Sequence, residues 1–406
     1  MMSPELSAAW RREFPVLDQQ VNGRPLVYLD TAATAQRPRE VIEAVSDFYR
    51  NDNANPGATL HTLARRAHDA FLNARRTVAE FIGASDALEV VFTRGTTEAI
   101  NLVATSWGGA NLRPGDEILI GRAEHASNML PWRAIAERTG ACVRYFGVRD
   151  DGHVDLDDFD ERLTSHPRLV AFSHVSNVLG VINPARDLVE RAHRAGAVVL
   201  IDAAQSVPHI PVDVNELGCD FLAFSGHKMC GPMGSGVLWA ARDMLDAMPP
   251  YQLGSNMAHD IDLASMHPSD GALKFGAGTP SVADAIGLAA AIRFLQRLGR
   301  AALRTHEESL AEHMLKRLSG VSGLRLLGDA TSRDRIALFS FALANHDAND
   351  VMARLDTRGI AVRAGDVASL PLLEQFGLRS AVRASCYLYT THQDIDALAD
   401  ALSDPI

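Results

Sequence analysis

Phe221-Leu222-Ala223-Phe224-Ser225-Gly226-His227-Lys228 reads as a short apolar strand that runs into a polar turn ending on a lysine. Upstream, Val198-Val199-Leu200-Ile201-Asp202-Ala203-Ala204-Gln205 repeats the pattern, with a carboxylate at the strand's end. Neither run alternates polar with apolar residues, so each is expected to be covered on both faces, as in a parallel sheet between helices. Five more short runs flank them: Val90 to Thr93, Glu117 to Ile120, Val143 to Phe146, Leu169 to Ser173 and Gly236 to Trp239. Separated by helical stretches, the seven predict a largely parallel α/β sheet, whose ligands sit at the carboxyl ends of its strands.

After Pro280 the pattern changes to long helices, Ser281 to Leu298 and Ala302 to Leu318, then strands at Leu324 to Leu327 and Ile336 to Phe341. This predicts a second, smaller α/β unit. Scattered Pro, Gly and Met between Met248 and Gly278 mark an irregular crossing where the boundary belongs. The expected division is an N-terminal segment 1–25 packing with the small domain, a large domain 26–280 and a small domain 281–406. Ser7 to Phe14 reads as a short amphipathic surface helix, and the first residues lack the basic-then-apolar order of a signal peptide. The most apolar long stretch, Ala283 to Leu298, is interrupted by Asp284, Arg293 and Gln296, too polar for a membrane span.

A net charge of −11 without a Lys/Arg-rich stretch argues against nucleic-acid or anionic-membrane partners and leaves small-molecule chemistry. Cys142, Cys219, Cys230 and Cys386 include no CxxC pair, so neither a zinc site nor a disulfide framework is expected. A reducing cytoplasm fits best.

A lysine at a strand end in a cleft is suited to attack an aldehyde, because burial lowers its pKa and frees the amine. Asp202 is suited to hold a pyridine nitrogen protonated, which lets the ring take up electrons from a carbanion at a substrate α-carbon. It would serve as a helix N-cap equally well. Phe92-Thr93-Arg94-Gly95-Thr96-Thr97-Glu98-Ala99-Ile100-Asn101 reads as strand, glycine turn and helix start. Its free amides and the Thr96 and Thr97 hydroxyls can bind a phosphate, although a capping box would use the same residues. Glu124-His125 offers an imidazole to stack on a pyridine ring, and Ser176-Asn177 an amide to a phenolic oxygen. Any one of these groups is ordinary. Five ends of one sheet, each with a different group, point to pyridoxal 5′-phosphate (PLP), with Lys228, His125 and Asp202 as the catalytic set.

Tyr28 to Thr34, Thr93 to Asn101, Ser173 to Gly180, Asp202 to Asp213, Phe221 to Pro232, Gly278-Thr279-Pro280, Ala361 to Gly365 and Arg383-Ala384-Ser385 resemble the group II cysteine desulfurases. These lie within the class V aminotransferase family of fold-type I PLP enzymes, and the resemblance covers nearly the whole chain. It implies an α/β fold: a large domain with a mostly parallel seven-stranded sheet, plus a smaller C-terminal α/β domain. It also implies that Lys228 carries the cofactor as a Schiff base and shuttles protons, that Asp202 pairs with the pyridinium, and that His125 stacks. Gln205 would contact the phenolic oxygen, while Thr97, Ser225 and His227 would hold the phosphate. Thr279 would reach the phosphate of another subunit, implying a homodimer with shared active sites. Arg383 would clamp the substrate carboxylate with its two-pronged guanidinium, and Arg363, Asn177 and Asp366 complete the substrate-binding candidates.

The resemblance breaks where the family reads Arg-Ala-Gly-His-His-Cys-Ala. This chain has Arg363-Ala364-Gly365-Asp366-Val367-Ala368-Ser369, which puts Ala368 at the nucleophilic cysteine. Without a thiolate there, attack on the substrate sulfur and formation of a persulfide are not expected. The family's Asn-Val-His-Arg-Gly-Val-His is here Asn55-Pro56-Gly57-Ala58-Thr59-Leu60-His61, a second change near the active site. Asp366, if it faces the cofactor, would contact a second amine on the substrate; an exposed acid of the turn is the alternative. The expected enzyme labilises a bond at the α-carbon of a small amino acid, with β-elimination by a C–S lyase as the smallest departure. Transamination or epimerisation remains open, as does a cysteine desulfurase using Cys230 or an external thiol. A PLP-binding protein without turnover is the remaining alternative.

Overall fold

A computed structural model describes residues 4–57 and 60–404. Of the altered loop, Ala58 and Thr59 lie outside the described residues, as do residues 1–3 of the N-terminal segment. All seven predicted runs are strands: β1 (Val90–Thr93), β2 (Glu117–Gly121), β3 (Cys142–Phe146), β4 (Leu169–Ser173), β5 (Val198–Asp202), β6 (Phe221–Ser225) and β7 (Gly236–Ala240). They form one sheet in the order β1-β7-β6-β5-β4-β2-β3. β7 is antiparallel to both of its neighbours, and the other pairings are parallel.

Residues alternate between two apolar clusters, one on each face of the sheet. Leu119, Val170, Phe172, Val199, Ile201, Leu222 and Phe224 join one; Ile118, Ile120, Leu169, Ala171, Leu200, Phe221 and Ala223 join the other. That is why the sequence runs are apolar throughout. Register then levels the strand ends: Ser173 pairs with Asp202, and Asp202 with Ala223. Polar groups just past those ends are thereby brought to one edge. At the β1 end, Gly95 has φ 153°, and a Cβ on Gly236 would come within 2.3 Å of the Gly95 Cα, so the close approach of turn and strand requires glycine.

The C-terminal sheet contains β8 (Leu324–Leu326), β9 (Leu338–Leu343), β10 (Arg363–Gly365) and β11 (Ala381–Ser385), in the antiparallel order β8-β9-β11-β10. Val27–Tyr28 pairs with Ile360–Ala361, and Asp30 bridges to Ser385, so this early stretch joins the C-terminal part. The helix Val282–Leu298 packs on Arg39–Asp47 and Thr62–Phe81 beside the large sheet. Arg300–Leu318 lies against His392–Ser403 in the C-terminal part.

The N-terminal helix spans Pro4–Arg11, three residues earlier at each end than the sequence suggests. Trp10 packs edge-on to His306 at 5.7 Å, and Phe14, past the helix, is buried against Phe294 and Tyr389. Arg11 binds Asp394 at 3.0 Å. Two large aromatic groups with these partners are more stable inside than at the surface. No helix among the described residues is long and apolar enough to cross a membrane.

Candidate active site

The carboxyl ends of β1, β2, β4, β5 and β6 open on one cavity of about 500 Å³. Thr96 and Thr97 follow β1, His125 follows β2, and Asn177 follows β4; Asp202 and Gln205 come from β5, and Ser225, His227 and Lys228 from β6. The C-terminal part supplies the opposite wall: Arg363, Asp366, Val367, Ala368 and Arg383. Every site residue predicted from the sequence lines this cavity except Thr279. Thr279 borders a separate cavity of about 610 Å³, where its hydroxyl accepts from Asn55 Nδ2 at 3.3 Å.

At one end, hydroxyls gather at the start of the helix Thr96–Val103. Thr96 N–H donates to Ser225 Oγ at 2.8 Å, the Thr96 and Ser225 hydroxyls share a 2.7 Å bond, and Thr97 Oγ1 lies 2.7 Å from Ser127 Oγ. A helix start rich in donors is a place for an anion. Burial, then the charges of Lys228 and Arg37, push the His227 imidazole down to about 4, so it is neutral there.

In the middle of the cavity sit the ionisable groups. Burial brings Lys228 down to about 8, with Asp202 opposing the shift and Arg383 adding to it. Asp202 is buried, and desolvation raises its pKa against the pull of Lys228 and of the Ala204 N–H, which donates to Oδ1 at 2.9 Å. A cationic ring nitrogen beside it would favour the carboxylate form. Burial, then Lys228 and Arg383, hold His125 at about 4, which leaves an uncharged imidazole plane. Beneath it Glu124, 2% exposed, accepts from Ser173 N–H at 2.9 Å, Ser173 Oγ at 3.1 Å and Asn128 Nδ2 at 2.6 Å. Desolvation pushes that carboxyl up to about 8.

Arg383 is 4% exposed; its Nη1 donates to Asn177 O at 2.8 Å, and its Nε is buried without a partner. Asp30, which sequence reading left without a role although it lies in a matched stretch, pairs with Arg363 at 2.6 Å and approaches Arg383 at 3.8 Å. Gln205 Nε2 donates to Ala32 O at 2.9 Å while Oε1 is buried and unpartnered. Asn177 is tied to the opposite wall: Nδ2 donates to Val367 O at 3.0 Å, and Oδ1 accepts from Ser369 Oγ at 3.3 Å.

That wall is a tight loop. Val367 and Ala368 have φ of 44° and 57°, the left-handed region that L-residues avoid. Ala126 N–H donates to Ala368 O at 2.8 Å, Ala368 N–H to Asp366 Oδ1 at 3.0 Å, and Ser369 N–H to Asp366 O at 2.9 Å. Among the described residues no cysteine lines the cavity. Cys230 is fully buried with its thiol pushed up to about 12 by desolvation, and Cys219 and Cys386 are buried with thiols raised further.

These residues fit PLP: an anion-binding helix start, a carboxyl, an amine and a neutral imidazole meet in one cavity, and an unpaired buried guanidinium N–H lies on the facing wall. Comparison with known proteins agrees. The family described as Aminotransferase class-V matches residues 27–398. A probable cysteine desulfurase of Halalkalibacterium halodurans is 47% identical over 392 residues, covering 97% of this chain and 96% of the relative. One from Mycobacterium leprae is 44% identical over 97% of this chain, which spans 64% of that longer protein. Among solved structures, the cysteine desulfurase CsdA of Escherichia coli superposes with a TM-score of 0.90 at 37% identity, covering 97% of each chain. The apo cysteine desulfurase of Thermococcus onnurineus NA1 gives 0.92 at 33% identity, covering 99% of this chain and 98% of that one. The chain therefore belongs to the class V aminotransferase family, as an α/β fold-type I enzyme that uses PLP.

Proposed function

We propose that this protein is a C–S lyase, eliminating a sulfur leaving group from the β-carbon of a cysteine-derived amino acid without forming a persulfide on the enzyme. The observation that carries this is the cavity wall: Ala368 stands where the resemblance puts the nucleophilic cysteine, and no cysteine lines the cavity among the described residues. A thiol held near 12, as Cys230 is, is protonated at neutral pH and is a poor nucleophile.

Bound PLP supplies an electron sink for the α-carbon. In our reading Thr96, Thr97, Ser225 and His227 hold its phosphate, Asp202 its ring nitrogen, His125 its face and Gln205 its phenolic side. Arg383 receives the substrate carboxylate through its unpartnered Nε, with Asn177 and Arg363 beside it. Lys228 Nζ, with a pKa near neutrality, takes the α-proton as a general base. The C–S bond then breaks with its electron pair leaving on sulfur, and hydrolysis of the remaining three-carbon fragment gives pyruvate and ammonia. Thr279, away from this cavity, serves the phosphate of a second subunit, so the active form is a homodimer.

The test follows alanine, pyruvate and sulfide from L-cysteine and from S-substituted cysteines. Pyruvate from the conjugates, with no alanine from cysteine, is the expected result; alanine with sulfide overturns it. The relatives' names favour a second reading, a cysteine desulfurase whose sulfur acceptor comes from outside the cavity. That reading predicts alanine only when an external thiol is supplied.

A further inference from the structure

Asp366 lines the cavity on the same wall as Arg383. Its Oδ1 accepts the Ala368 N–H, which fixes the carboxylate at the neck of the loop. That bond needs an acceptor and not a charge, since asparagine would serve the turn equally. Among the described residues Asp366 has no ion-pair partner, and the nearby arginines, Arg363 and Arg383, face Asp30.

The charge is out of place in a site for anions. The cavity has to take a cofactor phosphate and a substrate carboxylate, and a further carboxylate on its wall repels both. Its field reaches the cofactor side, where it opposes the burial that lowers His125. The loop is also pinned: Val367 and Ala368 hold left-handed conformations, and Asn177, Ala126 and Ser369 bond across it. Left-handed L-residues are strained and persist where the fold over-determines them, so Asp366 is held ready rather than free to swing away.

We infer that Asp366 recognises a cation at the end of the substrate side chain, so that the site selects amino acids whose β-substituent carries an amine or a similar positive group. This rests on the reading that the cavity binds an amino acid through Arg383. A terminal ammonium beside Asp366 turns the repulsive carboxylate into an attractive contact and makes the substrate a diamino acid in charge pattern.

The test separates this from the lyase reading by using ligands that have no β leaving group. The visible spectrum of the PLP-loaded enzyme is titrated with L-lysine and with L-2-aminoheptanoate, which has a methyl in place of the ammonium. Asp366 is exposed at the cavity wall, so lysine should bind about two- to fivefold tighter, the range for an exposed charge pair. In Asp366→Asn, which keeps the turn acceptor, that preference should vanish, with aminoheptanoate bound no more weakly than by the parent enzyme. Equal affinities in the parent enzyme, a preference that survives in Asp366→Asn, or no spectral response to either ligand would each overturn the inference. Absence of pyruvate from S-(2-aminoethyl)-L-cysteine alongside an intact lysine preference would instead remove the lyase reading alone.

Discussion

The two walls of the cavity are built differently. The strand-end wall takes one to three residues from each of five strands that run the same way, whose register brings them level, and its turns rest on glycine where the backbone demands it. The facing wall comes from β10, β11 and the loop between them, and at Val367 and Ala368 it uses L-residues in a conformation glycine would adopt more cheaply. The first wall holds groups suited to any PLP reaction at an α-carbon. The second holds Arg383, Asp366 and Ala368, which on the function proposed above select the substrate and the bond that breaks. On that proposal the cofactor chemistry stays intact while the reaction changes on one short loop.

The comparison breaks most decisively at Lys228. Lys228→Ala should abolish the visible absorbance of the bound cofactor and lower turnover by about 10³-fold, as judged by spectrum and steady-state rate together. Unchanged spectra would mean that the strand-end wall does not hold PLP through this residue. Next in size is Arg383→Lys on the other wall, which loses the fork that matches a carboxylate. Here kcat/KM should fall by about 10²-fold, mostly through KM, with the cofactor spectrum retained. If the spectrum goes as well, the two walls are not separable as described.

Loading of PLP into the cofactor-free protein sharpens the first wall further. Only the neutral amine of Lys228 attacks an aldehyde, and its pKa is about 8. The rate of uptake should therefore rise about tenfold per pH unit below that value and level off above it. A rate that kept climbing tenfold per unit past about pH 9 would show that the amine keeps the ordinary lysine pKa of about 10.4 and is not buried. The smallest effects belong to the second wall and its surroundings. Ala368→Gly relieves one left-handed residue and should change stability by no more than about 1 kcal/mol in favour of the folded state, read as a higher melting temperature. Cys230→Ala should leave the product ratio unchanged, because that thiol faces the core and not the cavity.

The asymmetry of the walls also explains what the sequence made legible. Apolar runs such as Phe221 to Phe224 ending in polar turns disclosed both the sheet and the positions of Asp202, His125 and Lys228, because burial on two faces leaves an unbroken apolar signature. The ion pair between Asp30 and Arg363 was not legible: 333 positions separate its members, and no local pattern links them. Nor were the ties of Asn177 to Val367 and Ser369, which occupy the amide expected to meet the cofactor's phenolic oxygen. The left-handed loop was hidden too, since Val and Ala give no hint of positive φ. The amphipathic pattern around Trp10 says that one face of the N-terminal helix is covered but not by what, and it does not show that the helix ends before Phe14; the cover is His306, Phe294 and Tyr389.

The central claim is that the chemistry runs in this cavity without an enzyme thiol. Its most direct test is the intact mass of the holoenzyme after turnover of L-cysteine in the absence of reductant, with alanine and pyruvate measured in the same sample. The expected result is no added sulfur on the protein and no alanine. A sulfur-atom increment on any of the four cysteines, with alanine formed in step, would contradict it.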